Sequence, residues 1–385
     1  MRTLKIVLIL VCTCWQITAQ KNIPHLAKKG NLTQLIVDDE PFLMIAGEVH
    51  NSSASTLEYM KPLFPKLKKM NLNSVFVTLA WEQFEPKEGV YDYTLVDAII
   101  ENAKKNDLKV CLLWFASWKN GESSYTPMWV KKDTKRFFRV QTKEGKRIET
   151  MSPFCEATKI ADAKAFTALM KHVKEVDKDQ TVILMQPQNE VGMFQDIDYN
   201  PIALDLFEQN VPKELTKYLK KNKKNLKEYV TNAWSKSKFK TKGTWKEMFG
   251  DTPEAKAFFT TWQYATYINF IAKSGRQEYD LPMMVNSWIV QKPEDLPGVY
   301  PNGGPVSRVI DIWKAAAPDI DIQSPDIYLS NFKEIVAMYH RKDNPLLVPE
   351  SSAEVGRAYY SFGEHDAICF SPFGIEDAAD NFLFT

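Results

Sequence analysis

Apolar and polar positions along this chain follow two distinct patterns. From residue 40 onward, short apolar runs bounded by turn residues alternate with stretches that repeat apolar residues at helical spacing. The apolar runs predict eight strands: Phe42–Glu48, Asn73–Ala80, Lys109–Ala116, a run from Thr181 that carries Glu190 at its end, Pro282–Ser287, Asp321–Ile327, Pro345–Pro349 and Ala367–Ser371. Strands of this kind are buried on both faces of a parallel sheet. Eight such strands in series with helices predict an α/β fold of the (β/α)8 TIM-barrel type, since a doubly wound sheet would not need eight strands of this regularity.

The helical stretches complete this pattern and interrupt it once. Helices are predicted over Thr56–Met70, Asp97–Asn106, Lys164–Val176 and Phe332–His340. A long lysine-rich insert runs from about residue 191 to 280, with helical segments of its own. After the eighth strand only Gly374–Thr385 remain, which predicts an incomplete last helix and a further domain absent from this chain. Apolar surface left open at that end would favour self-association.

Two of the predicted strands end on a glutamate. The fourth strand turns abruptly polar at Gln186 and ends with the pair Asn189 and Glu190, and the seventh strand ends at Glu350. A strand followed by a polar loop is the simpler interpretation of either one alone. Two strands of this kind favour a functional site over two unrelated polar loops, because the active sites of parallel α/β folds lie at the carboxyl edge of the sheet.

Two opposed carboxyl groups are what glycoside hydrolysis requires. One acts as an acid toward the leaving oxygen, and in a retaining enzyme the other acts as a nucleophile at the sugar ring. Glu190 and Glu350 can face each other across a barrel mouth, and Asn189 is suitably placed to hydrogen-bond a sugar hydroxyl. Aromatic residues at neighbouring strand ends are further candidates, for stacking on sugar faces, although barrels also bury aromatic residues freely; they are Trp81, Trp118, Trp288 and Tyr328.

Composition and motifs argue against other classes of function. The chain has 44% hydrophobic and 25% charged residues and a formal charge of +1, so it has no overall field for nucleic acid or membranes. The lysines around Lys213–Lys246 are better explained as a solvated helical face. No metal-binding, nucleophile-elbow or phosphate-loop motif is present, and the sequence therefore implies no cofactor and no metal.

The first twenty residues have the pattern of an export signal. Arg2 and Lys5 precede the apolar run Ile6–Cys12, and small residues follow at Ile17-Thr18-Ala19. This predicts a signal peptide over residues 1–20, a catalytic barrel over residues 21–385, and a periplasmic or extracellular location without a membrane span. The three remaining cysteines are too few for a disulfide scaffold.

Four motifs resemble a known family of enzymes. Gly47-Glu-Val-His50, Trp81-Glu-Gln-Phe-Glu85-Pro-Lys-Glu-Gly89-Val-Tyr-Asp92-Tyr, Gln188-Asn-Glu190 and Pro349-Glu350 are similar to motifs of family 35 glycoside hydrolases, and most closely to its bacterial β-galactosidase-like branch. That family lies in the clan of retaining barrel enzymes that also includes family 42. The resemblance covers about residues 30–375. It implies that Glu190 is the acid/base, that Glu350 is the nucleophile, and that Tyr328 hydrogen-bonds the nucleophile.

Two positions depart from the family pattern. Asn51 stands where animal and fungal members have a tyrosine after the first-strand histidine, and Lys119 and Asn120 stand near the end of the third strand in place of a galactose-binding Ala-Glu. We retain these three residues and Glu48 as candidates for sugar binding. Glu85, beside Pro86, is equally well explained as a residue that holds a loop.

The sequence therefore predicts an exported, retaining, exo-acting glycosidase, and specifically a β-galactosidase that acts on oligosaccharides or on the side chains of polysaccharides. Its mechanism would be double displacement through a covalent glycosyl-enzyme. Two alternatives stay open at this point. One is an endo-acting β-glycanase, which would need an open groove, and the other is a non-catalytic carbohydrate-binding barrel.

Overall fold

The computed structural model describes residues 22–382, with side chains as far as residue 378. The signal peptide predicted for residues 1–20 lies outside the described residues. The strands, in chain order, are β1 (His25–Lys29), β2 (Leu32–Val37), β3 (Glu40–Phe42), β4 (Met44–Glu48), β5 (Ser74–Ala80), β6 (Lys109–Lys119), β7 (Arg139–Gln141), β8 (Arg147–Met151), β9 (Val182–Asn189), β10 (Met284–Trp288), β11 (Ile322–Ile327), β12 (Leu347–Val348), β13 (Glu350–Ser351) and β14 (Cys369–Phe370).

The helices occupy the intervals between the parallel strands. They are α1 (Leu57–Met60), α2 (Leu63–Lys69), α3 (Trp81–Phe84), α4 (Thr94–Lys105), α5 (Met128–Lys132), α6 (Glu156–Val176), α7 (Pro201–Phe207), α8 (Lys213–Asn222), α9 (Glu228–Ser235), α10 (Trp245–Phe249), α11 (Pro253–Glu278), α12 (Ile310–Ala316), α13 (Phe332–Tyr339), α14 (Val355–His365) and α15 (Ile375–Phe382). A short 3₁₀ turn, Ser307–Val309, precedes α12. Within residues 22–382, no helix combines the length and the apolar character needed to cross a membrane.

Eight strand positions form a ring. Six parallel strands are hydrogen-bonded in the order β12-β14-β4-β5-β6-β9, and a second parallel group has the order β10-β11-β13. A parallel bridge between Met185 and Met283 connects β9 to β10. On the other side, β12 and β13 are two halves of one strand, separated at Pro349, which has no N–H to donate to a ladder. The predicted (β/α)8 barrel is thus confirmed.

The two faces of each barrel strand carry different cores. Along β6, Leu113 and Phe115 belong to the cluster inside the barrel, whereas Trp114, Ala116 and Trp118 belong to the larger cluster beneath the helices. This alternation follows from the two-residue period of a strand. Lys119 is the last residue of β6, so it lies at the carboxyl end of that strand.

An antiparallel sheet that the sequence analysis does not predict lies at the amino-terminal end of the barrel. Its strands β1, β2 and β3 are joined by short turns, one of which places Asp38 and Asp39 at φ of 54° and 67°. Leu35 and Val37 of β2 are buried in the cluster inside the barrel. Asp38 is paired with Lys109, at the start of β6, with Oδ2 and Nζ 3.1 Å apart. This sheet therefore covers the end of the barrel opposite the predicted active site.

The insert and the last helix differ in how well they match the predictions. The excursion after β9 contains α7 to α10 and leads into the long helix α11, in agreement with the helical segments predicted there. A last helix, α15, follows the eighth strand although the sequence analysis expects an incomplete one. It packs against α2, and its residue Ile375 lies against Gly47 of the first barrel strand.

Candidate active site

A cavity of about 500 Å³ opens at the carboxyl ends of the barrel strands. It is lined by residues from several strand ends: Asn51, Lys119, Asn120, Glu190, Trp288, Ile289, Gln291, Asp326, Tyr328, Leu329, Glu350 and Phe373. Seven of these are among the candidate site residues, so strand ends that are far apart in the sequence do converge here. The volume lies within the usual range for small-molecule sites, about 300–1,000 Å³.

The end of β9 is bent so that Glu190 enters the cavity. Pairing of β6 with β9 is irregular between Trp114 and Lys119, and irregularities of this kind re-aim side chains near active sites. Gln188 and Glu190 both have left-handed backbones, with φ of 69° and 42°. Such conformations cost about 1–3 kcal/mol at a non-glycine residue and persist only where the surroundings impose them. The site is therefore held in shape by its neighbours.

Gln188 supplies one of these constraints from below. Its Oε1 accepts a hydrogen bond from the Trp118 backbone N–H at 3.0 Å, and its Nε2 donates to Asp162 Oδ2 at 2.7 Å. Asp162 is fully buried on α6 and also accepts from Trp114 Nε1 and Ser117 Oγ. Burial raises the pKa of Asp162 to about 6, and the three donated hydrogen bonds oppose that rise. The carboxylate thus anchors the left-handed turn that precedes Glu190.

Asn286, on β10, supplies the other constraint and connects the two glutamates. Its Oδ1 accepts a hydrogen bond from the backbone N–H of Glu190 at 2.9 Å. Its Nδ2 lies 2.8 Å from Asn189 Oδ1, 2.9 Å from Asp326 Oδ2 and 3.3 Å from Glu350 Oε1. One buried amide thus ties the backbone at Glu190 to the carboxyl group of Glu350.

Glu350 is held by two donated hydrogen bonds. Besides the Asn286 amide at Oε1, the Tyr328 hydroxyl donates to Oε2 at 3.0 Å. Burial raises the pKa of Glu350, while Lys119, Tyr328 and Asn286 each lower it. The contact between Tyr328 and Glu350 has the partners that the family resemblance implies.

Glu190 has a less favourable environment for a negative charge. Burial, followed by the nearby Glu350 carboxylate, raises the pKa of Glu190 to about 7, although Lys119 and a hydrogen bond with Asp326 lower it. Two adjacent carboxyl groups that differ in this way ionise at different pH values. Glu350 therefore ionises first, and Glu190 retains its proton near neutral pH.

The remaining polar candidates lie around this pair. Lys119 and Asn120 line the cavity, with Lys119 Nζ 2.5 Å from Asn120 Oδ1. Asn189 lies beneath the cavity, with its amide hydrogen-bonded to Gln186, Asn286 and Asn120. Glu48 is also buried, and burial together with Glu350 raises its pKa well above the usual range.

The aromatic candidates divide into two pairs. Trp288 and Tyr328 line the cavity, as expected of residues that contact a sugar. Trp81 and Trp118, in contrast, have no exposed surface. Their indole N–H groups donate inside the protein, to Glu85 Oε2 and to the Met151 carbonyl oxygen. The expectation that these two tryptophans contact sugar is wrong, because both rings are part of the packing between strands and helices.

The contact of Trp81 also explains the role of Glu85. The Glu85 carboxylate accepts from Trp81 Nε1 at 2.7 Å and from the Gly89 backbone N–H at 2.7 Å. Gly89 has a φ of 75°, in the region that favours glycine. Glu85 therefore holds a loop, which is one of the two interpretations that the sequence leaves open.

Several residues of the site are not predicted from the sequence. Asp326 lines the cavity from within β11, Asn286 lies within β10 and contacts Asp326 and Glu350 without lining the cavity, and Phe373 lines it after the eighth strand. The signal available for the first two was a polar residue inside an otherwise buried strand. Within residues 22–382, no group of three or more His, Cys, Asp or Glu side chains is arranged to hold a metal ion.

Comparison with known proteins identifies the family. A family model for family 42 glycoside hydrolases, described as beta-galactosidase, matches residues 54–343. The chain belongs to this family. The match confirms the clan expected from the sequence motifs, and within that clan the family matched is family 42 and not family 35. It includes Glu190 and ends before Glu350.

Solved structures agree with the barrel fold. The catalytic domain of beta-amylase from Paenibacillus polymyxa has a TM-score of 0.60 at 11% identity, over 86% of this chain and 92% of that chain. A beta-galactosidase from Bacillus circulans sp. alkalophilus has a TM-score of 0.55 at 17% identity, over 86% of this chain and 50% of that chain. The chain thus spans half the length of that second enzyme. At these identities the likeness concerns the fold alone. No curated protein matches the chain.

Proposed function

We propose that this family 42 protein is a retaining exo-β-galactosidase in which Glu190 is the acid/base and Glu350 is the nucleophile. The observation that carries the proposal is that two buried carboxyl groups border one cavity in unlike electrostatic environments. Retaining glycosidases need one protonated and one ionised carboxyl group on opposite sides of the scissile bond. The family match supports the β-galactosidase activity.

Each glutamate suits one of the two roles. Glu350 accepts hydrogen bonds from Tyr328 and Asn286, which stabilise the ionised form that attacks the anomeric carbon. Glu190, with a pKa of about 7, can donate its proton to the leaving oxygen at neutral pH. After the leaving group departs, the Glu190 carboxylate takes a proton from the water that hydrolyses the glycosyl-enzyme.

Lys119 offsets the negative charge that the two glutamates carry in turn during the proposed reaction. It lowers the pKa of both Glu190 and Glu350 from the same cavity wall. The cavity carries one negative charge on Glu350 before attack and one on Glu190 in the glycosyl-enzyme. A single cation near both carboxyl groups stabilises both states.

The shape of the cavity supports exo action. Its walls include Trp288, Ile289 and Gln291 after β10 and Tyr328 and Leu329 after β11. None of its lining residues comes from the insert at 191–280, so within the described part of the chain the insert does not form a wall of this cavity. A bounded site of about 500 Å³ suits a terminal sugar better than an internal segment of a long polymer.

A panel of aryl β-glycosides tests this function. We expect the purified protein to hydrolyse the β-galactoside faster than the β-glucoside, β-xyloside and β-mannoside. We also expect terminal galactose to be released from oligosaccharides or from polysaccharide side chains, with no internal cleavage. Internal cleavage products would favour an endo-acting β-glycanase, and binding without hydrolysis of any glycoside would favour a carbohydrate-binding barrel.

A further inference from the structure

Asp326 is a third carboxyl group in the cavity, and the mechanism above does not use it as a reacting group. It lies on β11 opposite Glu350 of β13 in the strand register, and its side chain is only 3% exposed. Its Oδ2 accepts a hydrogen bond from Asn286 Nδ2 at 2.9 Å. Because Asn286 also binds the backbone N–H of Glu190, one amide holds Asp326 beside the proposed acid/base.

The two oxygens of Asp326 differ in their surroundings. Oδ2 has the Asn286 donor, whereas Oδ1 is buried and has no donor among the residues that the structure describes. An ionised carboxylate with an unpaired buried oxygen is costly, whereas a protonated carboxyl group can place its O–H at Oδ1 and donate from it. The acceptor that fits is the carboxyl group of Glu190, because both side chains line the same cavity and Asn286 binds both the Asp326 carboxyl group and the Glu190 backbone. A hydrogen bond between the two side chains also lowers the pKa of Glu190. Two carboxyl groups can share a hydrogen bond only when one of them holds a proton.

The neighbouring charges indicate which of the two carboxyl groups, Asp326 or Glu190, donates the hydrogen bond. Asp326 faces Glu48 from β4, Glu190 from the end of β9 and Glu350 from β13, and burial and all three neighbours raise its pKa. The Tyr339 hydroxyl, on α13 behind the site, is neutral because burial raises the pKa of Tyr339. Lys119, the cation of the cavity, lowers the pKa of Glu190. The proton in the hydrogen bond between the two side chains therefore belongs to Asp326, and the separate proton that Glu190 holds near neutral pH stays available for the leaving oxygen.

We propose that Asp326 is a positioning residue that stays protonated and donates a hydrogen bond from Oδ1 to the carboxyl group of Glu190. The effect of that bond on catalysis rests on the proposed role of Glu190 as acid/base. When Glu190 gives its proton to the leaving oxygen, the hydroxyl of Asp326 stabilises the carboxylate that forms. Asp326 keeps its own proton throughout, so no bond to it forms or breaks during the reaction.

Two substitutions at Asp326 distinguish the effect of losing a hydrogen-bond donor from the effect of losing a carboxyl group. Asp326→Leu removes the donor and keeps the branching at Cγ, with methyl groups in place of the two oxygens, so that no water takes their place, whereas Asp326→Asn keeps an N–H donor of similar shape. In Asp326→Leu we expect the alkaline limb of the pH profile of kcat/KM to move up by about one pH unit, because the Glu190 carboxylate loses a hydrogen bond. In Asp326→Asn the limb should stay at its wild-type position. An unchanged limb in the leucine variant, or the same shift in both variants, would overturn the proposal.

Infrared difference spectroscopy tests the protonation of Asp326 without any use of activity. The spectrum of the wild-type protein minus that of Asp326→Asn at neutral pH should contain the carbonyl stretch of a protonated carboxyl group. A difference spectrum with only the bands of an ionised carboxylate would overturn the proposal. If Glu190→Gln retains full activity, the proposed function fails, whereas the infrared band of Asp326 would still be present, and the two failures are therefore distinguishable.

Discussion

Replacing Tyr328 by phenylalanine removes one hydroxyl group and keeps the ring that lines the cavity. That hydroxyl is one of two donors to Glu350, at 3.0 Å from Oε2. It remains a neutral donor, because burial and the Glu350 carboxylate raise the pKa of Tyr328. A hydrogen bond to a charged group contributes about 1.5–3 kcal/mol to stabilising that charge. Since Tyr328 is 50% exposed and water can partly replace its hydroxyl, the lower end applies, and about 1.5 kcal/mol corresponds to roughly one pKa unit.

The direction of the pKa shift follows from the form of Glu350 that the Tyr328 hydroxyl stabilises, which is the ionised carboxylate. Loss of that hydroxyl raises the pKa of Glu350, so the acid limb of the kcat/KM profile of Tyr328→Phe should move to higher pH by about one unit. The alkaline limb, which reports Glu190, should not move. The profile is measured with an aryl β-galactoside from acid to alkaline pH. Tyr359→Phe is a matched control, because Tyr359 is 76% exposed on α14 and does not line the cavity. An unmoved acid limb in Tyr328→Phe, or an equal shift in the control, would refute this reasoning.

Three further changes have defined outcomes. Lys119→Met should move both limbs of the profile to higher pH, because Lys119 lowers the pKa of both catalytic glutamates; movement of one limb alone would contradict the shared role. Gly47→Ala should lower the free energy of unfolding in urea by about 1–3 kcal/mol, since its Cβ would lie 2.6 Å from Ile375 Cγ2, and adding Ile375→Ala should restore part of the loss unless the clash lies elsewhere. Amino-terminal sequencing of the secreted protein should give a start near Gln20 or Lys21, and an intact Met1 in a cytoplasmic fraction would argue against export.

The polar ends of strands were enough to predict the central pair of this site. Glu190 and Glu350 each follow an apolar run, and a parallel barrel brings such ends to one edge whatever their separation in sequence. The eight barrel strands could also be predicted, because each one contains a continuous apolar run. The amino-terminal sheet was missed because its strands are short and only partly buried.

The direction of a side chain at a strand end depends on the last one or two residues, and this limits what the pattern can predict. The third strand was predicted to end at Ala116, yet β6 continues to Lys119. Trp118 therefore still lies within the strand, where it faces outward against Tyr264 and Tyr267 of α11. Trp81 starts helix α3 immediately after β5, and that turn directs its ring into the core.

Asn286 and Asp326 mark a different limit. Each is a polar residue in the interior of a strand, and the apolar pattern around it predicts burial but not a partner. Asn286 is important because it is hydrogen-bonded to Glu190 and Glu350, and Asp326 because it accepts a hydrogen bond from Asn286; all these bonds join segments that are distant in sequence. A pattern within one strand contains no information about such contacts, which depend on the register between neighbouring strands.

Azide rescue of the two glutamate variants tests the assignment of catalytic roles most directly. With Glu190→Ala, an activated aryl β-galactoside can still form the glycosyl-enzyme on Glu350, and azide should release the β-galactosyl azide. With Glu350→Gly, azide should occupy the vacated nucleophile position and give the α-galactosyl azide. The anomer of each product is determined by NMR. A β-azide from the first variant and an α-azide from the second are the predicted results, whereas an α-azide from Glu190→Ala, or full activity in either variant without azide, would contradict the account.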